Sequence, residues 1–264
     1  MISILLIPLA LCLILVLIHV FFGVHILRRG ILFIDLALAQ WAAFGYLVGY
    51  AYHVENPLML LLCGFSATIV AAFILAIIKP LFAAINLQEA IIGVMYILAA
   101  AAAMAFISST GLEVHHLKSM FTGHLLFVQL NDLLLTMFLY IGVGFICFIF
   151  YNRLFRSQSQ LSEFLFYTLF GLVVTSSVKL VGLLLVFSFL VIPVLSVFLF
   201  VKSIKMQTLL GWGIGVIASC LGLLLSIVFD IPPSLCVILV LCGMLVLGIC
   251  VFLSLKRLGK LTEI

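Results

Sequence analysis

Nine stretches of roughly 20 apolar residues, separated by short polar breaks, dominate this chain, and each is long enough to cross hydrocarbon about 30 Å thick as a helix. Inside lipid every backbone polar group must be satisfied within the segment, and a helix does so with its own carbonyls. Hydropathy places the spans near 2–24, 31–51, 58–78, 90–107, 132–151, 164–181, 183–201, 207–229 and 234–254. The expectation is an all-α polytopic membrane protein of eight or nine transmembrane helices. Of 264 residues, 67% are hydrophobic and 8% charged, which leaves no stretch for a soluble domain of even about 50 residues. Residues 1–264 therefore read as one transmembrane domain. The opening MISILLIPLALCLILVLIHVFF lacks a basic leading region and its apolar core is too long for a signal peptide, so it reads as a retained span.

The charges orient this domain. If the first span runs inward, the inner loops hold Arg28, Arg29, Lys79, Arg153, Arg156, Lys202, Lys205, Lys256, Arg257 and Lys260, and only Lys118 and Lys179 fall to the outer half. The positive-inside rule then sets the N-terminus outside and the C-terminus in the cytoplasm. The net charge of +4 is scattered between spans with no basic stripe, so lipid is the expected partner and nucleic acid is not. Seven cysteines (Cys12, Cys63, Cys147, Cys220, Cys236, Cys242 and Cys250) all sit in apolar stretches without a C-x-x-C pair, and read as packing residues.

Small residues mark where helices approach closely: Gly211, Gly215 and Ser219 recur every four residues, and residues 99–103 are all alanine. Pro193 removes a backbone donor inside the seventh span, which predicts a kink or break there. Asn86 with Glu89 three positions on reads as a helix cap. Two segments do not span. The outer one is STGLEVHHLKSMFTGHLLFVQLN. The inner one, residues 152–163, mixes Leu154, Phe155 and Leu161 with Arg153, Arg156, Gln158, Gln160 and Glu163, the pattern of a short amphipathic helix at the membrane face.

Few groups in this chain carry chemistry. Asp35 lies in the second span, where an ionisable side chain costs at least about 2.5 kcal/mol and usually faces a bundle interior or a polar pathway. Counting helical rise from the arginine pair puts Asp35 roughly 9 Å and His19 roughly 13 Å from the inner face, so the two could meet across a helical hairpin. Gln40 is five residues past Asp35, about 140° further round the helix, and does not share its face. Glu113, His115 and His116, with His124 beyond, could capture a cation at the outer side, and oxygen and imidazole donors suit zinc, manganese or ferrous iron. Lys179 fits a side chain snorkelling to the outer interface. The chain has no H-E-x-x-H helix, no G-x-S-x-G elbow and no G-x-x-x-x-G-K-[ST] phosphate loop, so it is not expected to be an enzyme, and any ATP-driven role requires another subunit.

Four segments together resemble a known family. RRGILFIDLALAQWAAFG is similar to a second-span pattern of basic pair, glycine, carboxylate and small residues. QEAIIGVMY resembles an acidic-x-x-Ile-Gly segment, FTGHLLFV a short Gly-containing outer or re-entrant segment, and VKLVGLLLVFSFLVIPVLSV a Gly-Leu-Leu to Pro stretch. The family is the permease subunits of bacterial metal-ion ABC importers of the zinc, manganese and iron type. Better-known members carry Asp-Ala-Leu-Ser-His in the second span. Aligned on Gly45, this chain has Leu36 and Gln40 at the acidic and histidine positions, with Asp35 one residue earlier.

The resemblance implies a homodimeric permease of the bacterial inner membrane, two ATPase subunits on its cytoplasmic face and an extracytoplasmic metal-binding protein. No cofactor is held permanently; a divalent metal ion, zinc first, then manganese or iron, is the transported substrate. Metal contacts are expected at Asp35, His19, Gln40, Glu113, His115 and His116. Residues 152–163 occupy the place of a cytoplasmic coupling segment, with Arg153, Arg156, Gln158, Gln160 and Glu163 facing the ATPase. A carrier driven by an ion gradient and a non-transporting membrane sensor or scaffold are the competing readings.

Overall fold

A computed structural model describes residues 2–83, 87–110, 123, 125–155 and 159–257. These form ten α-helices and one 3-10 turn: α1 (Ile2–Arg29), α2 (Ile34–Ala51), α3 (Pro57–Ala83), α4 (Gln88–Thr110), the turn Leu125–Phe127, α5 (Leu130–Ile149), α6 (Tyr151–Phe155), α7 (Gln160–Val181), α8 (Leu183–Phe198), α9 (Ile204–Phe229) and α10 (Pro233–Arg257). Apart from the five-residue α6, each helix falls on one of the nine expected spans.

Seven of the helices are long and apolar enough to cross a membrane. Of the remaining three, α6 is a single short turn and the other two are instructive. The 16 residues of α8 rise only about 24 Å, short of the hydrocarbon core. In α2 the shortfall is polar: Asp35 and Gln40 lower its hydropathy, and 12 of its 18 residues are buried. A helix shielded from lipid by protein can carry such residues at less cost.

The ends of the helices follow local rules. Arg28 and Arg29 occupy the last turn of α1, where the partial negative charge of the helix terminus favours cations. Gly30 then adopts φ 65°, a conformation open to glycine, and ends the helix. Ser159 caps α7 by accepting the Ser162 amide at 3.2 Å. Gly182 (φ 84°) separates α7 from α8. The sequence predicts a kink or break at Pro193; the helix is not broken there, since α8 continues through that proline, and the break in this region falls at Gly182. Residues 30–33 likewise interrupt the span expected from residue 31, so α2 starts at Ile34.

The chain divides into two compact units. One comprises Met1–Leu27, Leu125–Leu133 and Leu184–Ile264. In it α9 lies against α10, and its small-residue stripe meets α1: Gly211 faces Val20 and Gly215 faces Val16, with Ser219 fully buried. A Trp212 Nε1 bond to the Leu17 carbonyl, 2.9 Å, ties the same pair. This is the close packing read from the sequence.

The second unit comprises Arg28–His124 and Leu134–Leu183. Here α2 is the inner helix, packed on α3, α4 and α7. Gly45 allows α2 and α3 to touch at backbone distance, since a Cβ there would meet the Cys63 carbonyl oxygen and lie 2.8 Å from the Gly64 Cα. Ala103 of the alanine run packs with Leu47 and Ile107. Cys12, Cys147 and Cys236 are buried as expected of packing residues, but Cys242 and Cys250 are exposed. Exposed Phe138, Phe145 and Phe148 on α5 are the lipid-compatible surface of an apolar helix.

Candidate functional site

Asp35 is the second residue of α2 and fully buried, and neither carboxylate oxygen has a hydrogen-bond partner among the described residues. Because residues 30–33 form a turn instead of continuing a helix from residue 31, Asp35 stands in the first turn of α2. The positive end of the α2 dipole favours a carboxylate there by about 0.3–1 kcal/mol. That is far less than the several kcal/mol lost when an ion leaves water, so an ionised Asp35 requires a cation or water beside it. Gln40 is also buried, at 5% exposure, one and a half turns along.

A second carboxylate serves the same helix entrance. Glu89, in the first turn of α4, accepts the Leu32 amide at 2.7 Å just ahead of α2. Glu89 thus ties the first turn of α4 to the turn ahead of α2, and Asn86, the cap residue expected from the sequence, lies outside the described residues. The hydrogen bond crosses from residue 89 to residue 32, and no local pattern could announce it. Beside this entrance, Ile34, Lys79, Gln88 and Tyr167 line a small cleft.

Further along α2 the surroundings become hydroxyl-rich. Tyr46 donates to the Thr175 carbonyl at 2.9 Å, and Thr175 and Thr68 hydroxyls lie 3.3 Å apart. Thr175, Ser176 and Ser177 are buried, and each donates to a carbonyl one turn back on α7. The run Thr-Ser-Ser stands in the sequence, but only tertiary packing turns it toward Tyr46 and Tyr140. Tyr46→Phe should lower stability by about 1 kcal/mol, the usual net worth of one such bond, measured by chemical unfolding in detergent. At the far end of α2, Lys179 lines a cavity with Tyr50, His53, Glu55 and Leu60.

The inner segment departs from the single amphipathic helix expected of it. Residues 152–155 belong to α6 and residues 160–163 to the first turn of α7. Arg153 and Gln160 are exposed, whereas Glu163 is only 4% exposed and turned into the unit. Its Oε2 accepts from Arg29 at 2.9 Å and its Oε1 pairs with Lys79 at 2.7 Å. Arg29 also donates to the Leu154 carbonyl at 2.6 Å and lies 4.0 Å over the Phe166 ring. Sequence reasoning assigned Arg29 and Lys79 to topology alone and missed this cluster. The signal available was an acidic residue, Glu163, close in sequence to Arg153 and Arg156 in a segment between spans.

His19 is fully buried on α1, with Nδ1 2.8 Å from the Leu15 carbonyl to which it donates. It belongs to the other unit from Asp35. Glu113, His115, His116, His124, Arg156 and Gln158 lie outside the described residues. Among the described residues no three His, Cys, Asp or Glu side chains gather as a metal site.

The described residues thus form a multi-pass helical membrane chain with one buried polar helix, α2. The chain belongs to the ABC 3 transport family, whose model matches residues 1–252. This is the family to which the four sequence segments point, the permeases of metal-ion ABC importers. Among solved structures, PsaBC from Streptococcus pneumoniae in complex with Fab is similar, at 19% identity. The match covers 93% of this chain and 90% of that one, with a TM-score of 0.76, and shows that the fold is shared. No curated protein matches the chain.

Proposed function

We propose that this permease carries zinc, with manganese and ferrous iron as competing substrates, into the cytoplasm by alternating access. The observation that carries this reading is Asp35, a buried carboxylate whose two oxygens have no partner among the described residues. A desolvated site of that kind favours passage of a cation, and oxygen donors accept all three ions. His19 and Gln40 are the further candidate contacts within the membrane, and Glu113, His115 and His116 those for capture at the outer side.

Two copies of the chain pair around one path, with the N-terminus outside and the C-terminus in the cytoplasm. Two ATPase subunits dock at residues 152–163 through Arg153, Arg156, Gln158 and Gln160, and an extracytoplasmic binding protein delivers the ion. ATP is hydrolysed in those partner subunits. Support comes from the family match and from the exposure of Arg153 and Gln160 on the inner segment.

The test is copurification followed by transport. The chain expressed with candidate ATPase subunits should retain them, and proteoliposomes of the complex should accumulate Zn²⁺ only with ATP, with Mn²⁺ and Fe²⁺ competing. Uptake by the isolated chain that follows an ion gradient and ignores ATP would refute the reading.

A further inference from the structure

Glu163 joins three parts of the second unit through one carboxylate. Its own helix, α7, carries the end of the inner segment as its first turn. Oε2 holds Arg29 at the end of α1, and Oε1 holds Lys79 near the end of α3. Arg29 in turn grips α6 through the Leu154 carbonyl, and its guanidinium lies against Phe166 of α7. Ser162, the neighbour of Glu163, closes the circuit by donating to the Arg153 carbonyl. The two pieces of the inner segment are thus fastened to each other and to the two flanking helices.

The burial of this cluster makes the fastening stiff. Glu163 side-chain exposure is 5%, against 15% for Arg29 and 21% for Lys79, so water screens these pairs weakly. A planar guanidinium with fixed partners on two sides and a ring beneath it has little freedom to re-form elsewhere. One carboxylate facing two cations also resists separation, since releasing it leaves two like charges buried together.

The route continues to Asp35. Arg29 is followed by the turn at residues 30–33, whose Leu32 amide is held by Glu89, and then by α2 with Asp35 in its first turn. A displacement of the inner segment pulls Arg29 through Glu163 and Leu154, and Arg29 is six residues from Asp35. We infer that Glu163 is a positioning residue that delivers movement of the inner segment to the entrance of α2 through Arg29 and to α3 through Lys79. This rests on the proposed docking of ATPase subunits at residues 152–163.

The test uses the complete complex in proteoliposomes, reading Zn²⁺ uptake and ATP turnover together. Glu163→Gln should leave ATPase subunits bound while uptake per ATP falls about tenfold, within the usual range of coupling between separate sites. Lys79→Gln keeps the Arg29 to Glu163 pair, and its ratio should fall about fivefold. A merely structural role would lower both rates in proportion to folded complex and leave the ratio unchanged, and that result overturns the inference. If Glu163→Gln does not assemble, the ratio for Lys79→Gln decides: reduced supports coupling, unchanged refutes it. Failure of the wild-type chain to retain any ATPase would refute the docking reading itself, an outcome visible before any variant is made.

Discussion

Asp35→Asn is expected to reduce ATP-driven Zn²⁺ uptake about a hundredfold while the permease still folds and assembles. The substitution keeps the shape of the side chain and removes its charge. A charge-assisted contact to a passing cation is worth roughly 3 kcal/mol, and about 1.4 kcal/mol corresponds to a factor of ten. Stability should barely change or rise. The dipole contribution lost at the start of α2 is at most about 1 kcal/mol, and removing a desolvated charge offsets it. Uptake assays in proteoliposomes, with size-exclusion profiles of the same preparations, separate the two effects. Wild-type transport by this variant would make the buried carboxylate a feature of folding alone.

The second large effect is on packing. Gly45→Val should destabilise the chain by about 3 kcal/mol, the upper end for overpacking a tight core. The added side chain would strike the Cys63 carbonyl and the Gly64 Cα, both backbone atoms that no rotamer change can move aside. Relief requires α2 and α3 to separate, which would also loosen the Ala42, Tyr46 and Leu60 cluster between them. Gly144→Ala on α5 is the control, because a Cβ there meets nothing within 4 Å. It should be neutral or stabilise by up to about 1 kcal/mol, because alanine is the better helix former. Chemical unfolding of both variants in the same detergent gives the comparison, and equal midpoints would show that the α2 to α3 contact is not tight.

The metal-transport reading and the packing reading meet on α2. Its polar residues weaken it as a free-standing span, and its glycines and alanines let α3, α4 and α7 enclose it. Enclosure is what makes Asp35 admissible, and it also removes the water that would otherwise stabilise the charge.

Much of this was legible in one dimension. Apolar run length fixes the helices, because a segment in lipid must satisfy its own backbone, and all nine long helices fall where hydropathy puts them. Glycines and serine at four-residue spacing mark a face of α9 for close packing, since small residues let membrane helices approach, and the structure places α1 there. Asp35 stands out on energetic grounds alone.

What the sequence could not express is partnership across distance. Periodicity does not show that residues 30–33 form a turn, so Asp35 is read too far along its helix. Nor does it show that Glu89 holds Leu32, or that Glu163 turns inward to Arg29 and Lys79 rather than outward to solvent. These choices depend on which helix ends lie side by side after packing. Charges separated by 134 residues become neighbours only when tertiary structure brings them to 2.9 Å, and burial then gives the pairing its strength.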